Sequence, residues 1–376
     1  MSLWSNANDP ETLIYRSNAA IGSKQSKTIA VSVPISSNLN VAQEILRGVA
    51  QVQWEINDSG GINKIPLKVK VIDDQNDPAI AQQVATALVK KSHVSAVIGH
   101  NSSDASLAAG AIYQKGKLVM VSPTSMATEL SGLGSYLFRT VPNTRFLADP
   151  LAKYVTKTAR KTQIAVCFDA QAKDNVSFKN EFIASFWSHG GRVVDVACDF
   201  NAPTFDPEVA VTQAIAQGAD SILLAPHIDR LERAMMVARA TKGRLAIFGS
   251  TTLYTFKTLQ SGAQDINGLV VPAPWHPSIS AANPRLSRAR QLWKGEISWR
   301  TAMAIDATQA VADALARSSD RQGLQQTLRD NAYEAKGIAE PIQFLPTGDR
   351  PSTPILIKVQ PDSSTRVGYA FSPLDS

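Results

Sequence analysis

The apolar residues of this chain follow two spacings in turn, a period of two and a period of about 3.6 residues. β-Branched residues alternate over Thr28–Pro34, which predicts a strand. From Val41 to Ile56 the apolar residues recur at helical spacing, and Gly60 with Gly61 ends that helix. The same alternation of strand and helix continues, with further strands predicted at Leu67–Ile72, Val94–Gly99 and Leu118–Val121. This order predicts an open parallel sheet with helices on its faces.

A second array of the same kind occupies the middle of the chain. It begins with the helix Leu147–Thr158, after which strands are predicted at Gln163–Phe168, Arg192–Ala197, Ser221–Ala225 and Leu245–Gly249. Two more strands are predicted in the tail, Ile342–Phe344 and Ile355–Val359. Two serial arrays in one chain predict an α/β protein with two doubly wound parallel-sheet lobes.

Residues 1–26 lie outside both arrays. Asp9 followed by Pro10 is typical of a helix start, with the aspartate as the N-cap. The segment then ends in the polar stretch Gly22–Ser26, so we expect a loosely packed N-terminal appendage. No basic stretch followed by an apolar one occurs here, as it would in a signal peptide.

Polar clusters follow two of the predicted strands of the first array. Asn101–Asp104 comes after Val94–Gly99, and Ser122–Ser125 closes the strand Leu118–Val121. In open parallel sheets, ligands bind just beyond the carboxyl ends of the strands. Neither cluster contains a nucleophile–base pair or a set of metal ligands. The pattern therefore predicts a pocket that binds a ligand without reacting with it, with no catalytic residue and no metal.

Composition narrows the function classes further. Hydrophobic residues make up 44% and charged residues 19% of the 376 residues, which is typical of a globular protein. No apolar run approaches the roughly 20 residues of a membrane helix. The net charge of +6 is scattered, without the basic stripe that nucleic-acid binding needs. Cys167 and Cys198 end consecutive predicted strands of the second array, so a disulfide and two buried free thiols both remain open.

An enzyme with two α/β domains is the rival interpretation. Dinucleotide binding would require a glycine-rich turn after the first strand, but the chain reads Pro34-Ile35-Ser36-Ser37-Asn38 there. A phosphate loop, a His-Glu-x-x-His motif and a Gly-x-Ser-x-Gly elbow are all missing from the sequence. We therefore expect no enzyme and no cofactor.

Several of these segments, taken in order, resemble a known family. They are Gly60-Gly61-Ile62-Asn63, then Asp73-Asp74-Gln75-Asn76-Asp77-Pro78, then Ala96-Val97-Ile98-Gly99-His100 and finally Val121-Ser122-Pro123-Thr124. This set resembles the type I periplasmic solute-binding proteins, in the leucine/isoleucine/valine-binding branch of ATP-driven (ABC) importers. The resemblance covers roughly residues 27–360.

The resemblance implies an architecture and a role. It implies an N-lobe of residues 27–142 plus 275–341 and a C-lobe of residues 143–274 plus 342–376, joined by a hinge of three crossings, with the ligand held in the interlobe cleft. The implied ligand is a small polar solute, with an amino acid preferred. The implied partner is the membrane permease of an ABC transporter or a signalling partner, and the alternative function is that of a ligand-sensing ectodomain of a signalling protein. The implied location is periplasmic or otherwise extracytoplasmic. Members of the family are usually monomers, so the resemblance implies a monomer. We expect no nucleic-acid partner.

The resemblance also implies which N-lobe residues bind the ligand carboxylate. Ser103 matches the serine that holds it, and Thr124 matches a position where a backbone contact is expected. Met126 stands where the family often has a threonine, which removes a hydroxyl donor, and Ser125 and Thr128 are the candidates to compensate. Ser103 lies at the start of a predicted helix, whose free N–H groups favour an anion. The alternative interpretations are a helix cap for Ser103 and turn chemistry for Thr124.

In the C-lobe, the resemblance points to four residues. Asp174 lies at or near the position of a family tyrosine, and His227 takes the place of an aromatic residue, although each is also a candidate helix cap. Thr251 lies in the stretch where an acid usually pairs with the ligand ammonium, and Tyr254 is a candidate pocket wall. Because this stretch has no carboxylate, either Asp174 replaces the missing acid or the ligand is not an ordinary α-amino acid.

Overall fold

The computed structural model describes residues 8–318 and 320–374. These divide into two compact units, between which the chain passes three times. Unit 1 joins the described residues up to Pro142 with Trp275–Ser352, and unit 2 joins Asn143–Pro274 with the described residues from Thr353 onward. Within the described ranges, no helix is both long and apolar enough to cross a membrane.

Helices and strands are numbered here in chain order. The strands are β1 Lys27–Val33, β2 Leu67–Asp73, β3 Val94–Ile98, β4 Val119–Ser122, β5 Leu137–Arg139, β6 Gln163–Phe168, β7 Arg192–Val193, β8 Ser221–Ala225, β9 Ala246–Gly249, β10 Val270–Ala273, β11 Ile355–Pro361 and β12 Tyr369–Pro373. The helices are α1 Pro10–Ile21, α2 Leu39–Asp58, α3 Pro78–Val89, α4 Ser103–Lys115, α5 Thr144–Lys153, α6 Lys173–Ser188, α7 Pro207–Ala216, α8 Leu231–Thr241, α9 Phe256–Gly262, α10 Pro284–Trp293, α11 Trp299–Arg317 and α12 Arg321–Arg329.

Unit 1 is built on a parallel sheet of five strands in the order β2-β1-β3-β4-β5. Helix α2 contains the predicted amphipathic stretch and packs against α11 and α1. Helix α3 begins with Asp77 as its N-cap, whose carboxylate accepts the N–H of Ala79 and Ile80, and with Pro78 in its first turn. The predicted alternation of strand and helix is thus confirmed, and it brings the carboxyl ends of β3 and β4 side by side.

The N-terminal segment is not a loosely packed appendage. Helix α1 starts at the predicted Asp9 cap and packs on α2, with Ile14 fully buried. The amide of Asn18 pairs with the backbone of β2, donating to the carbonyl of Val69 at 2.7 Å and accepting its N–H at 3.1 Å. The described residues before β1 therefore belong to unit 1, whereas residues 1–7 lie outside the described part.

The predicted boundary between residues 341 and 342 is also wrong. The chain leaves unit 1 only after Ser352, because Gly348 and Asp349 are bonded to β5. The predicted strand Ile342–Phe344 is absent from the described structure, where Ile342 forms only a single bridge with Ala335. The other two divisions fall after Pro142 and after Pro274.

Unit 2 has a seven-stranded sheet in the order β12-β11-β10-β9-β8-β6-β7. Strands β6 to β10 are parallel to one another. At one edge of the sheet, β11 pairs antiparallel with β10, and β12 pairs antiparallel with β11. Strand β7 has only two residues instead of the predicted six. Cys167, on β6, and Cys198 form a disulfide, which settles the question that the sequence left open.

Candidate functional site

Two loops interlock at the carboxyl edge of the sheet in unit 1. One runs from Gly99 to Ser103 after β3 and the other from Pro123 to Ala127 after β4. The Thr124 hydroxyl donates to the carbonyl of Asn101 at 2.9 Å, and the Ala127 N–H donates to Oγ of Ser103 at 3.1 Å. The structure therefore brings together Ser103 and Thr124, which the sequence predicts as ligand contacts.

Serine hydroxyls at the end of β4 and in the second loop donate hydrogen bonds to the backbone carbonyl of His100. Ser122 donates to it at 2.8 Å and Ser125 at 3.1 Å. The Ser125 hydroxyl also lies 2.7 Å from that of Ser106, on α4. Oγ of Ser122 accepts the N–H of Ser125 at 3.0 Å. Ser125 thus has hydrogen bonds to both loops and to α4, and these hydrogen bonds fix the position of the second loop.

Ser103 is the first residue of α4 and is 1% exposed. The N-cap is its neighbour Ser102, which accepts the N–H of Ala105 at 3.2 Å. The cap interpretation thus applies to Ser102, whereas Oγ of Ser103, at the positive end of the helix, accepts the N–H of Ala127. Met126 buries its apolar side chain, and its backbone N–H donates to no acceptor among residues 8–318 and 320–374.

A buried polar network lies directly behind these loops. Nδ1 of His100 is 2.6 Å from Oδ2 of Asp74, and Nε2 is 3.1 Å from the Tyr113 hydroxyl. Burial would raise the pKa of Asp74, but His100, the Asn76 N–H and the Ser32 hydroxyl outweigh it, so the pKa is lowered. These contacts hold the His100 backbone in place.

Arg139, at the end of β5, is the main residue that sequence reasoning missed. It is 3% exposed and faces Asp349, with Nε 2.5 Å from Oδ1. Its Nη1 donates to the carbonyls of Ser125 at 3.2 Å and Ala127 at 2.6 Å. Burial lowers the pKa of Arg139, while Asp349 acts in the opposite direction. The signal was present in the sequence as a charged residue at the end of the apolar pair Leu137-Phe138.

In unit 2, Asp174 lies in the first turn of α6, the helix that follows β6, and His227 follows the carboxyl end of β8. His227 caps the short helix Ile228–Arg230. Burial would lower the pKa of His227, but the hydrogen bond to Asp229 and the charges of Asp174, Asp229 and Asp169 raise it. The negative charge of Asp174 is thus one of the causes of the raised pKa of His227.

The other two candidates of unit 2 have structural contacts. The Thr251 hydroxyl is buried and donates to the carbonyl of Pro272 at 2.8 Å. The Tyr254 ring packs edge-to-face on Phe371, with ring centroids 5.0 Å apart, against the core of unit 2. Among the described residues, no cluster of three or more His, Cys, Asp or Glu side chains is arranged to hold a metal ion.

Each unit contains a run of parallel strands followed by polar residues at their carboxyl ends, which is where open α/β sheets bind ligands. The family model of periplasmic binding proteins matches residues 27–361, and the chain belongs to this family. The family is one of binding proteins rather than enzymes, and it acts outside the cytoplasm.

Among the relatives is a Leu/Ile/Val-binding protein of Citrobacter freundii, 24% identical over 340 residues, which cover 86% of this chain and 88% of the relative. A leucine-specific-binding protein of Salmonella typhimurium is 24% identical, with 80% of this chain and 82% of the relative covered. A solved leucine-binding protein of Thermotoga maritima has a TM-score of 0.81 at 20% identity, covering 92% and 97% of the two chains.

A further solved structure broadens the range of ligands in this fold. The solute-binding protein of an ABC transporter from Rhodopseudomonas palustris, in complex with 3,4-dihydroxy benzoic acid, has a TM-score of 0.80 at 14% identity. It covers 93% of this chain and 96% of its own. The resemblance to both solved structures concerns the fold.

Proposed function

We propose that the protein captures a small amino acid, with L-leucine as the test ligand, and delivers it to the permease of an ABC importer. The supporting observation is the pair of interlocked loops in unit 1, where Oγ of Ser103, in the first turn of α4, accepts the N–H of Ala127, the residue that follows Met126. Hydroxyl and backbone N–H donors at a helix N-terminus suit a carboxylate. The relatives named for leucine, isoleucine and valine support the choice of ligand.

For the ligand ammonium, we propose Asp174 as the partner. The stretch Gly249–Thr252 after β9 has no carboxylate, whereas Asp174 and Asp169 make the surroundings of His227 acidic. A carboxylate that pairs with an ammonium forms a charge-assisted hydrogen bond, which is among the stronger polar contacts. In this proposal Thr251 and Tyr254 support the stretch after β9, Thr251 through its hydrogen bond to Pro272 and Tyr254 through its packing on Phe371.

A second candidate ligand is a carboxylate without an ammonium group. It is favoured by the missing acid after Gly249 and by the R. palustris relative that binds 3,4-dihydroxy benzoic acid. Unit 1 would serve both ligands equally, since both carry a carboxylate. The two candidates therefore differ only in what they require of Asp174.

Calorimetric titration separates the candidates. The protein is unfolded, dialysed and refolded to remove any bound solute, and then titrated with L-leucine, L-leucinamide and 3,4-dihydroxybenzoate. We expect L-leucine to bind and leucinamide not to bind, because leucinamide lacks the carboxylate. Asp174→Asn is expected to lower the affinity for L-leucine about tenfold or more, since hydrogen bonds to charged groups contribute about 1.5–3 kcal/mol. Binding of dihydroxybenzoate alone would replace the amino-acid proposal with the second candidate.

Delivery to a permease is proposed over a signalling role because solved relatives are described as substrate-binding proteins of ABC transporters. Stimulation of ATP hydrolysis by a reconstituted cognate importer, in the presence of L-leucine, tests this role. We also propose that the protein acts as a monomer, which light scattering with and without L-leucine checks.

A further inference from the structure

The guanidinium of Arg139 contacts both the second loop of unit 1 and the segment Leu345–Asp349. Nη1 donates to the carbonyls of Ser125 and Ala127, and Nη2 donates to the Ser131 hydroxyl at 2.6 Å. Nε donates to Asp349. All three nitrogens therefore have acceptors, and two of these acceptors are backbone atoms of the loop to which we assign the ligand carboxylate.

These contacts determine which way the peptide groups of the loop face. In a trans peptide, the C=O and the following N–H point in opposite directions, and the cis bond of the described chain is elsewhere, between Gly99 and His100. Because Arg139 binds the carbonyl of Ser125, the N–H of Met126 is turned away from the guanidinium. Ala127 is held through the two peptide groups on either side of it, because its carbonyl accepts from Arg139 and its N–H donates to Oγ of Ser103.

The acid that holds Arg139 is itself fixed in place. The Asp349 carboxylate also accepts the Thr347 hydroxyl at 2.8 Å. Gly348, at a φ of +82°, passes so close to β5 that any Cβ there would collide with the carbonyl of Leu137. The carbonyl of Gly348 accepts the Arg139 N–H at 3.0 Å. The segment thus holds both the backbone and the side chain of Arg139.

We infer that Arg139, held by Asp349, is a positioning residue for anion binding, which orients the Met126 N–H toward the ligand carboxylate without touching the ligand. This inference rests on the proposed carboxylate site and adds the group that builds it. Arg139 suits the role because a guanidinium provides a rigid planar fork of donors, which a lysine ammonium cannot reproduce.

The test compares Arg139→Lys with a matched control, Arg350→Lys. Arg350 is equally buried and pairs with buried Asp306, Nη1 to Oδ2 at 2.7 Å, and it has no hydrogen bond to the Pro123–Ala127 loop among the described residues. Calorimetry with L-leucine is carried out at a temperature where both variants remain folded. The Kd of Arg139→Lys is expected to be about tenfold higher than that of the unmodified protein, because a hydrogen bond to a charged group is misaligned. The Kd of Arg350→Lys is expected to stay within about threefold of the unmodified protein.

Hydrogen exchange of the ligand-free protein provides a readout that needs no ligand. Exchange in the peptide covering Ser122–Thr128 is expected to be faster in Arg139→Lys than in Arg350→Lys. If L-leucine fails to bind the unmodified protein but this exchange difference appears, the proposed function fails while the positioning of the loop stands. Equal exchange in the two variants, or equal loss of affinity, overturns the inference. Asp349→Asn, which keeps the side-chain shape, serves if Arg139→Lys does not fold, and the same difference from Arg350→Lys is expected.

Discussion

Nδ1 of His100 lies 2.6 Å from Oδ2 of Asp74, and neither side chain is exposed to solvent. The backbone carbonyl of the same histidine accepts the hydroxyls of Ser122 and Ser125. One residue therefore connects a buried charged network to the loops of unit 1. Through this connection, changes in Asp74 are expected to alter the stability of the region that carries the candidate site.

Replacement of Asp74 tests this connection. Asp74→Asn is expected to lower the free energy of unfolding by about 3–5 kcal/mol at pH 7, because it removes one member of a buried pair and leaves the other without its partner. Urea unfolding measures the change. As a control, Asp73→Asn removes an exposed hydrogen bond to Ser36 and is expected to cost less than about 1 kcal/mol. An equal loss of unfolding free energy in the two variants would show that the buried network stabilises the protein no more than an exposed hydrogen bond does.

The lowered pKa of Asp74 predicts that the stability of the protein decreases at acid pH. The folded-state pKa of Asp74 is below the ordinary value of 3.8, so the stabilisation from its charge is present above that value and is lost as the pH falls through the lowered pKa. Urea unfolding between pH 7 and pH 3 should therefore show a loss of stability at the acid end that is smaller in Asp74→Asn. Parallel curves for the two proteins would contradict this assignment.

The disulfide between Cys167 and Cys198 is expected to stabilise unit 2. It closes a segment with a sequence separation of 31, for which the entropy model gives about 3–4 kcal/mol. Thermal unfolding with and without a reductant measures the effect, and we expect a lower midpoint in the reduced protein. The double variant Cys167→Ala/Cys198→Ala should be insensitive to the reductant, and an equal response of both proteins would refute the prediction.

The raised pKa of His227 predicts a pH dependence of opposite sign. Because the folded value lies above the ordinary 6.5, the stabilisation is fully present below pH 6.5 and is lost as the pH rises through the folded pKa. An NMR titration of the imidazole is expected to give a pKa above 6.5. Asp229→Asn should lower this pKa, because Asp229 provides both a hydrogen bond and a charge. An unchanged titration curve would mean that other groups control His227.

Much of the fold followed from the sequence because strands and helices repeat their apolar residues with different periods. The alternation in β1 and the helical spacing in α2 were sufficient to predict both elements, and the Asp9 cap predicted the start of α1. The packing of α1 was not predictable in this way, because it depends on Asn18 bonding to a strand 51 residues away. Local patterns carry no information about such distant partners.

The candidate site was predictable only in part for the same reason. The hydroxyls of Ser103 and Thr124 lie in short polar clusters after strands, so their position was evident from the chain alone. Arg139 depends on Asp349, 210 residues away, and Asp74 depends on His100 through a sheet crossover. The assignment of ligand contacts stays a prediction for all eight residues, Ser103, Thr124, Ser125, Met126, Asp174, His227, Thr251 and Tyr254.

The most direct test of the central claim, that Ser103 and the loop after β4 hold a ligand carboxylate, is calorimetry of refolded protein with L-leucine. Ser103→Ala is compared with Ser102→Ala, which removes only the cap of α4. We predict one-to-one binding that weakens about tenfold or more in Ser103→Ala and stays within about threefold in Ser102→Ala. Identical affinities in the unmodified protein and Ser103→Ala would contradict the account.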